Sequence, residues 1–189
     1  MDNNNDKLPK VKIEEGGIMP RRATDGSAGY DLYVPCDTRI EPRHVNHGRN
    51  LVPLQIRLEV PSDCEGLIDA RSGFSARGME GMHLSMYQYL QDANGGSNDA
   101  FLRAASENMH RYDADVIQGK IDSDYRGIIN VIVKSNESFP FMILAGTRIA
   151  QITFVRILGS ELQQVDQLND ITRAEGGFGH TGTGIISRD

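Results

Sequence analysis

The stretch Ile121-Asp122-Ser123-Asp124-Tyr125-Arg126-Gly127 sets two carboxylates around a serine, then adds an aromatic ring and a glycine. A carboxylate within hydrogen-bond reach of a water can act as general base. An aspartate at a tight turn most often serves the turn itself, and a catalytic role is the sharper reading of Asp122. The flanking runs are strand-like. The stretch reads as a β-hairpin tip on which Asp122 and Asp124 share one face and Ser123 and Tyr125 the other. In Ala70-Arg71-Ser72-Gly73-Phe74 a guanidinium, a hydroxyl and an uncluttered backbone N–H follow one another. Those are the parts of a phosphate cradle, and they also suit a surface turn. The chain has no Walker A run, so the helix-terminus cradle built on that motif is not expected.

Three further stretches carry candidate groups. Asp31 follows the glycine-rich Gly26-Ser27-Ala28-Gly29 and opens a strand, where it can end a turn or serve a hard cation directly or through water. Arg148 and Gln151 flank apolar residues in Gly146-Thr147-Arg148-Ile149-Ala150-Gln151; an ion pair and a ligand contact suit Arg148 equally. Arg173 to Gly182 reads RAEGGFGHTG, too rich in glycine to pack a core. Glycine loses more freedom on ordering than any other residue. Such a string is either a frayed terminus or an arm that orders over a ligand.

The elements that must position these groups are mostly strands. Val52, Leu54, Ile56, Leu58 and Val60 alternate on one face of a half-buried strand. Ile129, Val131 and Val133 alternate with Ile128 and Ile132, as in a strand covered on both sides. Arg148 to Ile157 is similar. Gly, Pro, Asn and Asp punctuate these runs, which predicts an all-β barrel or sandwich. One region breaks the pattern. Met82, Met86 and Leu90, then Phe101, Ala105, Met109 and Tyr112, recur at helical spacing around Asn94-Gly95-Gly96-Ser97, with Ser97 or Asn98 as a cap. This predicts a helical hairpin over about 82–112 inserted into the β domain. Its apolar stripes suit packing on the body or on each other, or a surface for a protein partner.

With 189 residues, 39% of them hydrophobic, the chain is expected to form one domain, 1–189, with an insertion. A net charge of −6 argues against a non-specific grip on nucleic acid. No run of about 18 apolar residues and no signal peptide is apparent, so an intracellular, cytoplasmic protein without a membrane span is expected. Cys36 and Cys64 are far apart and are read as free thiols. The five histidines lack metal-ligand spacing.

Together, in content and order, the five stretches resemble the five motifs of the trimeric all-β dUTP pyrophosphatases, over about 26–182. AGYDL is similar to the first motif, RSGF to the second, IDSDYRG to the third, GTRIAQ to the fourth and RAEGGFGHTG to the fifth. The resemblance implies a jelly-roll-like β-barrel with a flexible C-terminal arm over about 170–189. It also implies a homotrimer with shared active sites and Mg²⁺-dependent hydrolysis of dUTP to dUMP and pyrophosphate. By the same resemblance Asp122 activates the attacking water and Tyr125 packs under the deoxyribose. Arg71, Ser72, Gly73 and Gln151 hold phosphates, and Asp31 holds a water of the Mg²⁺ shell. Phe178 stacks on uracil, and Arg173 and Thr181 contact the terminal phosphates beside Gly179 and His180. The protein would keep uracil out of DNA and supply dUMP for thymidylate synthesis.

The sequence departs from relatives at several points. Ala70 stands where proline is common, and His180 stands where relatives carry serine; His180 is still expected to contact phosphate. No asparagine lies between Tyr112 and Asp122, which leaves uracil to backbone groups and Gln118. The helical insertion is the largest departure and is expected to pack near the active-site mouth. Two alternatives compete with the dUTPase expectation: a dCTP deaminase-like enzyme of the same fold, and a nucleotide-responsive regulator that binds a protein through the insertion.

Overall fold

In the computed structural model, residues 8–93, 98–159 and 161–169 are described. Among the described residues thirteen strands and three α-helices follow one another: β1 (Lys10–Ile13), β2 (Tyr30–Tyr33), β3 (Thr38–Ile40), β4 (Arg49–Pro53), β5 (Ile56–Glu59), β6 (Cys64–Asp69), α1 (Ser72–Arg77), β7 (Met79–His83), α2 (Leu84–Ala93), α3 (Asn98–Glu107), β8 (His110–Tyr112), β9 (Ala114–Ile117), β10 (Gly119–Ile121), β11 (Asn130–Ser135), β12 (Phe141–Ile143) and β13 (Arg148–Arg156). The chain divides into two units, Met1–Leu158 and Gly159–Asp189. The second has neither helix nor strand among its described residues.

The protein is all-β with a helical excursion, as expected, but the strands do not close into a barrel. Among the described residues they form four sheets, ordered β10-β6-β13-β2, β4-β11-β9, β3-β12-β7-β8 and β1-β5. Short strands that change partner divide the ladders. The run expected as one strand from Val52 to Val60 is two, β4 and β5, broken where Gln55 takes a φ of 54°. Its inward face survives the break, since Val52, Leu54, Ile56, Leu58 and Val60 are all buried. They join Leu32, Ile68, Val131, Phe141, Ile149 and Ile152 in one core. Tyr112 stacks on Phe141 there, with ring centroids 4.3 Å apart.

The helices are shorter than the predicted hairpin. Met82 lies on β7 and Tyr112 on β8, because period-two and helical spacing coincide at single residues near a boundary. Met82, Leu90, Phe101, Ala105 and Leu144 form a separate small core that fastens α2 and α3 to the body. The Tyr87 hydroxyl adds a bond to Asp37 Oδ2 at 2.8 Å. Asp37 Oδ1 accepts the Ala145 N–H at 2.8 Å, so one carboxylate ties the helix to the turn before β13. The expected turn over Asn94 to Ser97 lies outside the described residues. No helix among the described residues is long and apolar enough to cross a membrane.

Candidate active site

Strand β13 runs between β2 and β6, and its register sets Gln151 opposite Asp31 on one side and Asp69 on the other. Directly paired residues project to the same face of a sheet. Asp31, Gln151 and Asp69 therefore form one polar row across three strands. Beside that row the chain leaves β6 at Ala70 and Arg71 and turns into α1. No helix was expected there. A six-residue helix is too short to form on propensity alone, and it is anchored by Phe74, which is buried in the main core. Its first bonds run from the Phe74 and Ser75 N–H groups to Arg71 O, both at 2.9 Å. The Ser72 and Gly73 N–H groups stand ahead of them, in the unpaired first turn of a helix.

Arg71, Asp31 and Gln151 are each fixed by hydrogen bonds. Arg71 Nε donates to Asp31 Oδ1 at 2.7 Å, and Arg148 reaches Asp31 Oδ2 at 3.4 Å. The sequence left ion pair and ligand contact open for Arg148, and the structure makes the ion pair. Gln151 Nε2 donates to Ala70 O at 3.2 Å. A pair of guanidinium groups, a serine hydroxyl and helix-start N–H groups meet at this edge, a donor set suited to phosphate. Asp31 is only 7% exposed and is offset by two arginines. Each of its oxygens keeps a lone pair, which fits an acceptor for a metal-bound water better than a direct ligand. No cluster of three metal-ligating side chains occurs among the described residues.

Asp122 and Tyr125 lie at the opposite edge of the same sheet, and the element that carries them is not a simple hairpin. Strand β9 pairs with β11, ending at Ile117 opposite Ile132. After Gln118 the chain switches sheets, and β10 pairs with β6. β10 and β11 thus splay apart. Between them opens a wedge of about 260 Å³, lined by Ile117, Gly119, Ile121, Asp122, Tyr125, Ile128 and Asn130 among others. Asp122 is exposed at its mouth. The loop is pinned from several sides. The Tyr125 N–H donates to Asp122 O at 3.1 Å and its hydroxyl to Ile128 O at 3.1 Å. Arg126 caps Ser123 O at 2.7 Å and Tyr125 O at 2.9 Å, and Arg57 holds Arg126 O at 2.7 Å. Arg57 also grips Glu14 Oε1 at 2.6 Å. The Lys12 ammonium, then the Arg57 guanidinium, hold the Glu14 carboxyl below the usual carboxylate range.

The two candidate groups are separate within one chain. Gln118 stands opposite Asp69 one step beyond the β10–β6 ladder, three strand spacings from Asp31, and Asp122 lies four residues further along. At about 4.8 Å per strand and 3.3 Å per residue, Asp31 and Asp122 are on the order of 20 Å apart. Gln118 does not face the wedge as expected but donates Nε2 to Asp69 at 2.7 Å. Asn130, not foreseen, brings an amide to the wedge from the other arm, with Nδ2 on Ile128 O at 2.8 Å. No sequence pattern singled it out; its place opposite Gly119 comes from extending the β9–β11 register. Arg173, Phe178, Gly179, His180 and Thr181 lie outside the described residues.

The dUTPase family model matches residues 15–85 and 99–182. The chain belongs to the dUTPase family. The break in the match, 86–98, takes in most of α2 and the first residue of α3 and lies inside the predicted insertion, 82–112. Among curated relatives, the deoxyuridine 5'-triphosphate nucleotidohydrolase of Fowl adenovirus A is 32% identical over 97% of this chain and 82% of its own. That of Swinepox virus is 33% identical over 91% of this chain and 94% of its own. Of solved structures, the dUTPase of Staphylococcus bacteriophage 80alpha with dUPNHPP superposes at a TM-score of 0.68, with 21% identity over 93% of this dUTPase-family chain and 98% of that one. A mutant dUTPase of phage phi11 of S. aureus, described with a structural Mg(II) ion, superposes at 0.60 with 19% identity over 85% and 97%. The open sheets here are thus the jelly-roll-like fold of the family.

Proposed function

We propose that the chain hydrolyses dUTP to dUMP and pyrophosphate, with Asp122 as general base. The observation that carries this reading is the wedge between β10 and β11, with Asp122 at its mouth and Tyr125 on its wall. β10 and β11 do not pair with each other, so the backbone groups on their facing sides can meet a base edge, and Asn130 adds an amide beside them. Uracil seated there would leave its sugar against Tyr125 and its α-phosphate near Asp122. A water beside Asp122 passes a proton to the carboxylate as its oxygen bonds to the α-phosphorus. The bond from that phosphorus to the bridging oxygen breaks, and pyrophosphate leaves.

The phosphates of the same substrate need the donors gathered around Arg71, Ser72, Gly73 and Gln151. Their separation from Asp122 within one chain supports a site shared between copies, one lending the wedge and another the phosphate edge, as in a homotrimer. Asp31 would hold Mg²⁺ through water. The ion, when bound, supplies charge neutralisation along the triphosphate. The terminal residues Arg173, Phe178, Gly179, His180 and Thr181 would complete the grip. The nucleotide substrate suits an intracellular place of action, and the helices α2 and α3 leave room for a protein partner in addition.

The test is pyrophosphate release from dUTP beside dCTP, dTTP and UTP, with and without Mg²⁺. Release from dUTP alone is expected. Ammonia from dCTP would move the protein to the deaminase class, and binding without turnover would make it a regulator.

A further inference from the structure

Two side-chain links join β10 to β6 along the rim of the wedge, and the proposed chemistry uses neither. Gln118 Nε2 donates to Asp69 Oδ1 at 2.7 Å. Lys120 Nζ donates to both carboxylate oxygens of Glu65, at 2.9 and 2.6 Å. Gln118 is also the residue at which the chain leaves the β9–β11 ladder for β6.

The segment Gly119–Ile121 has two possible partners. Continuing the β9–β11 register would set Gly119 against Asn130 and Ile121 against Ile128, all four of which now line the wedge. Paired strands lie about 4.8 Å apart, so that pairing would close the wedge. The backbone can satisfy its N–H and C=O groups on either partner, and a glycine at 119 commits to neither. The side chains break the tie, because Asp69 and Glu65 offer partners only on β6. A link of modest strength suffices, since it need only tilt a local balance and not hold the fold.

We propose that Asp69 and Gln118, with Lys120–Glu65 as a second link, are positioning residues that keep the base wedge open by fastening β10 to β6. This rests on the wedge being the base pocket. A chain that spends part of its time closed binds in proportion to its open fraction. The signature is therefore weaker binding at unchanged chemistry.

The experiment compares full-length wild type with Asp69→Ala, Gln118→Ala, the double variant and Asp69→Asn. Steady-state dUTP kinetics are measured, with deoxyuridine and inorganic pyrophosphate as separate inhibitors. Gln118 is exposed, so its truncation leaves the fold intact. Each alanine variant should raise KM and the deoxyuridine inhibition constant about 3- to 10-fold, with kcat and pyrophosphate inhibition unchanged. The double variant should match the singles, because all three lose the same bond. Asp69→Asn keeps an acceptor and should restore the wild-type KM. Unchanged KM in an active enzyme, additive effects, or a fall confined to kcat overturns the proposal. A wild type that neither turns over dUTP nor is inhibited by deoxyuridine overturns instead the base-pocket reading on which it rests.

Discussion

Arg71, the residue that opens α1, donates Nε to Asp31 Oδ1 at 2.7 Å, although forty positions separate them in sequence. The bond crosses from the end of β6 over β13 to β2 and aims the guanidinium before any phosphate arrives. Arg148 shares the same carboxylate. Asp31→Ala would leave two guanidinium groups side by side with no anion between them. Stability should fall by about 1–3 kcal/mol, toward the upper end of what a charge-assisted bond contributes. Arg71→Ala, which leaves Asp31 paired with Arg148, should lower Tm less and yet weaken triphosphate binding at least as much. Calorimetric melting beside titration with a non-hydrolysable dUTP analogue separates the two.

Asp122 should matter to the chemical step and little to binding. Asp122→Asn is expected to lower kcat by about 10²–10⁴-fold, the usual worth of a positioned general base. Affinity for the same analogue should stay close to wild type. A comparable loss of affinity would mean that the carboxylate binds the sugar or phosphate and does not activate water.

Gly127 is a steric requirement of the wedge. A Cβ there would overlap the Tyr125 hydroxyl and ring. Gly127→Ala should push Tyr125 off its bond to Ile128 O and into the space of the sugar. KM for dUTP is expected to rise about tenfold, in line with an overpacking cost of roughly 1–3 kcal/mol. Discrimination against UTP should weaken, read as the ratio of kcat/KM for the two nucleotides.

The link between Tyr87 and Asp37 predicts an alkaline weakness. Burial, then the bond to Asp37, pushes the Tyr87 phenol up from its ordinary value, and burial does the same to Tyr112. A group raised on folding contributes fully below its unfolded pKa of about 10 and loses that contribution as pH climbs through the folded value. Melting temperature should therefore decline above about pH 10, and Tyr87→Phe should reduce the slope while Tyr112 keeps part of it. At neutral pH the same variant should speed amide exchange in α2 and α3 without altering dUTP turnover.

The family was far more legible in the sequence than the geometry. Taken alone, Asp122, Tyr125 and Arg71 suit turns as well as chemistry, and it was the order of the five stretches that carried the family. The inward alternation from Val52 to Val60 was also legible, since period two persists even where Gln55 breaks the strand. Partner choice was not. Nothing in GKIDSDYRG says that β10 abandons β11 for β6. That choice depends on Asp69 and Glu65, 49 and 55 positions from Gln118 and Lys120, and it decides what Gln118 touches. The helix α1 escaped notice for a related reason: six residues hold it only because Phe74 finds the core. Met82 and Tyr112 were read as helical because a single apolar residue at a boundary satisfies both periods.

The two edges of the sheet β10-β6-β13-β2 have a genetic consequence. With Asp31 on the β2 edge, Arg71 bonded to it from the end of β6, and Asp122 beyond β10 at the other edge, a copy that shares sites with its neighbours lends the two groups to different active centres. One gene carrying Arg71→Ala and another carrying Asp122→Asn, expressed in the same cell, should complement each other. Mixed assemblies recover some centres in which both lent edges are sound, although neither gene alone produces any. A single gene carrying both lesions should behave as a dominant poison, since each defective copy spoils two centres.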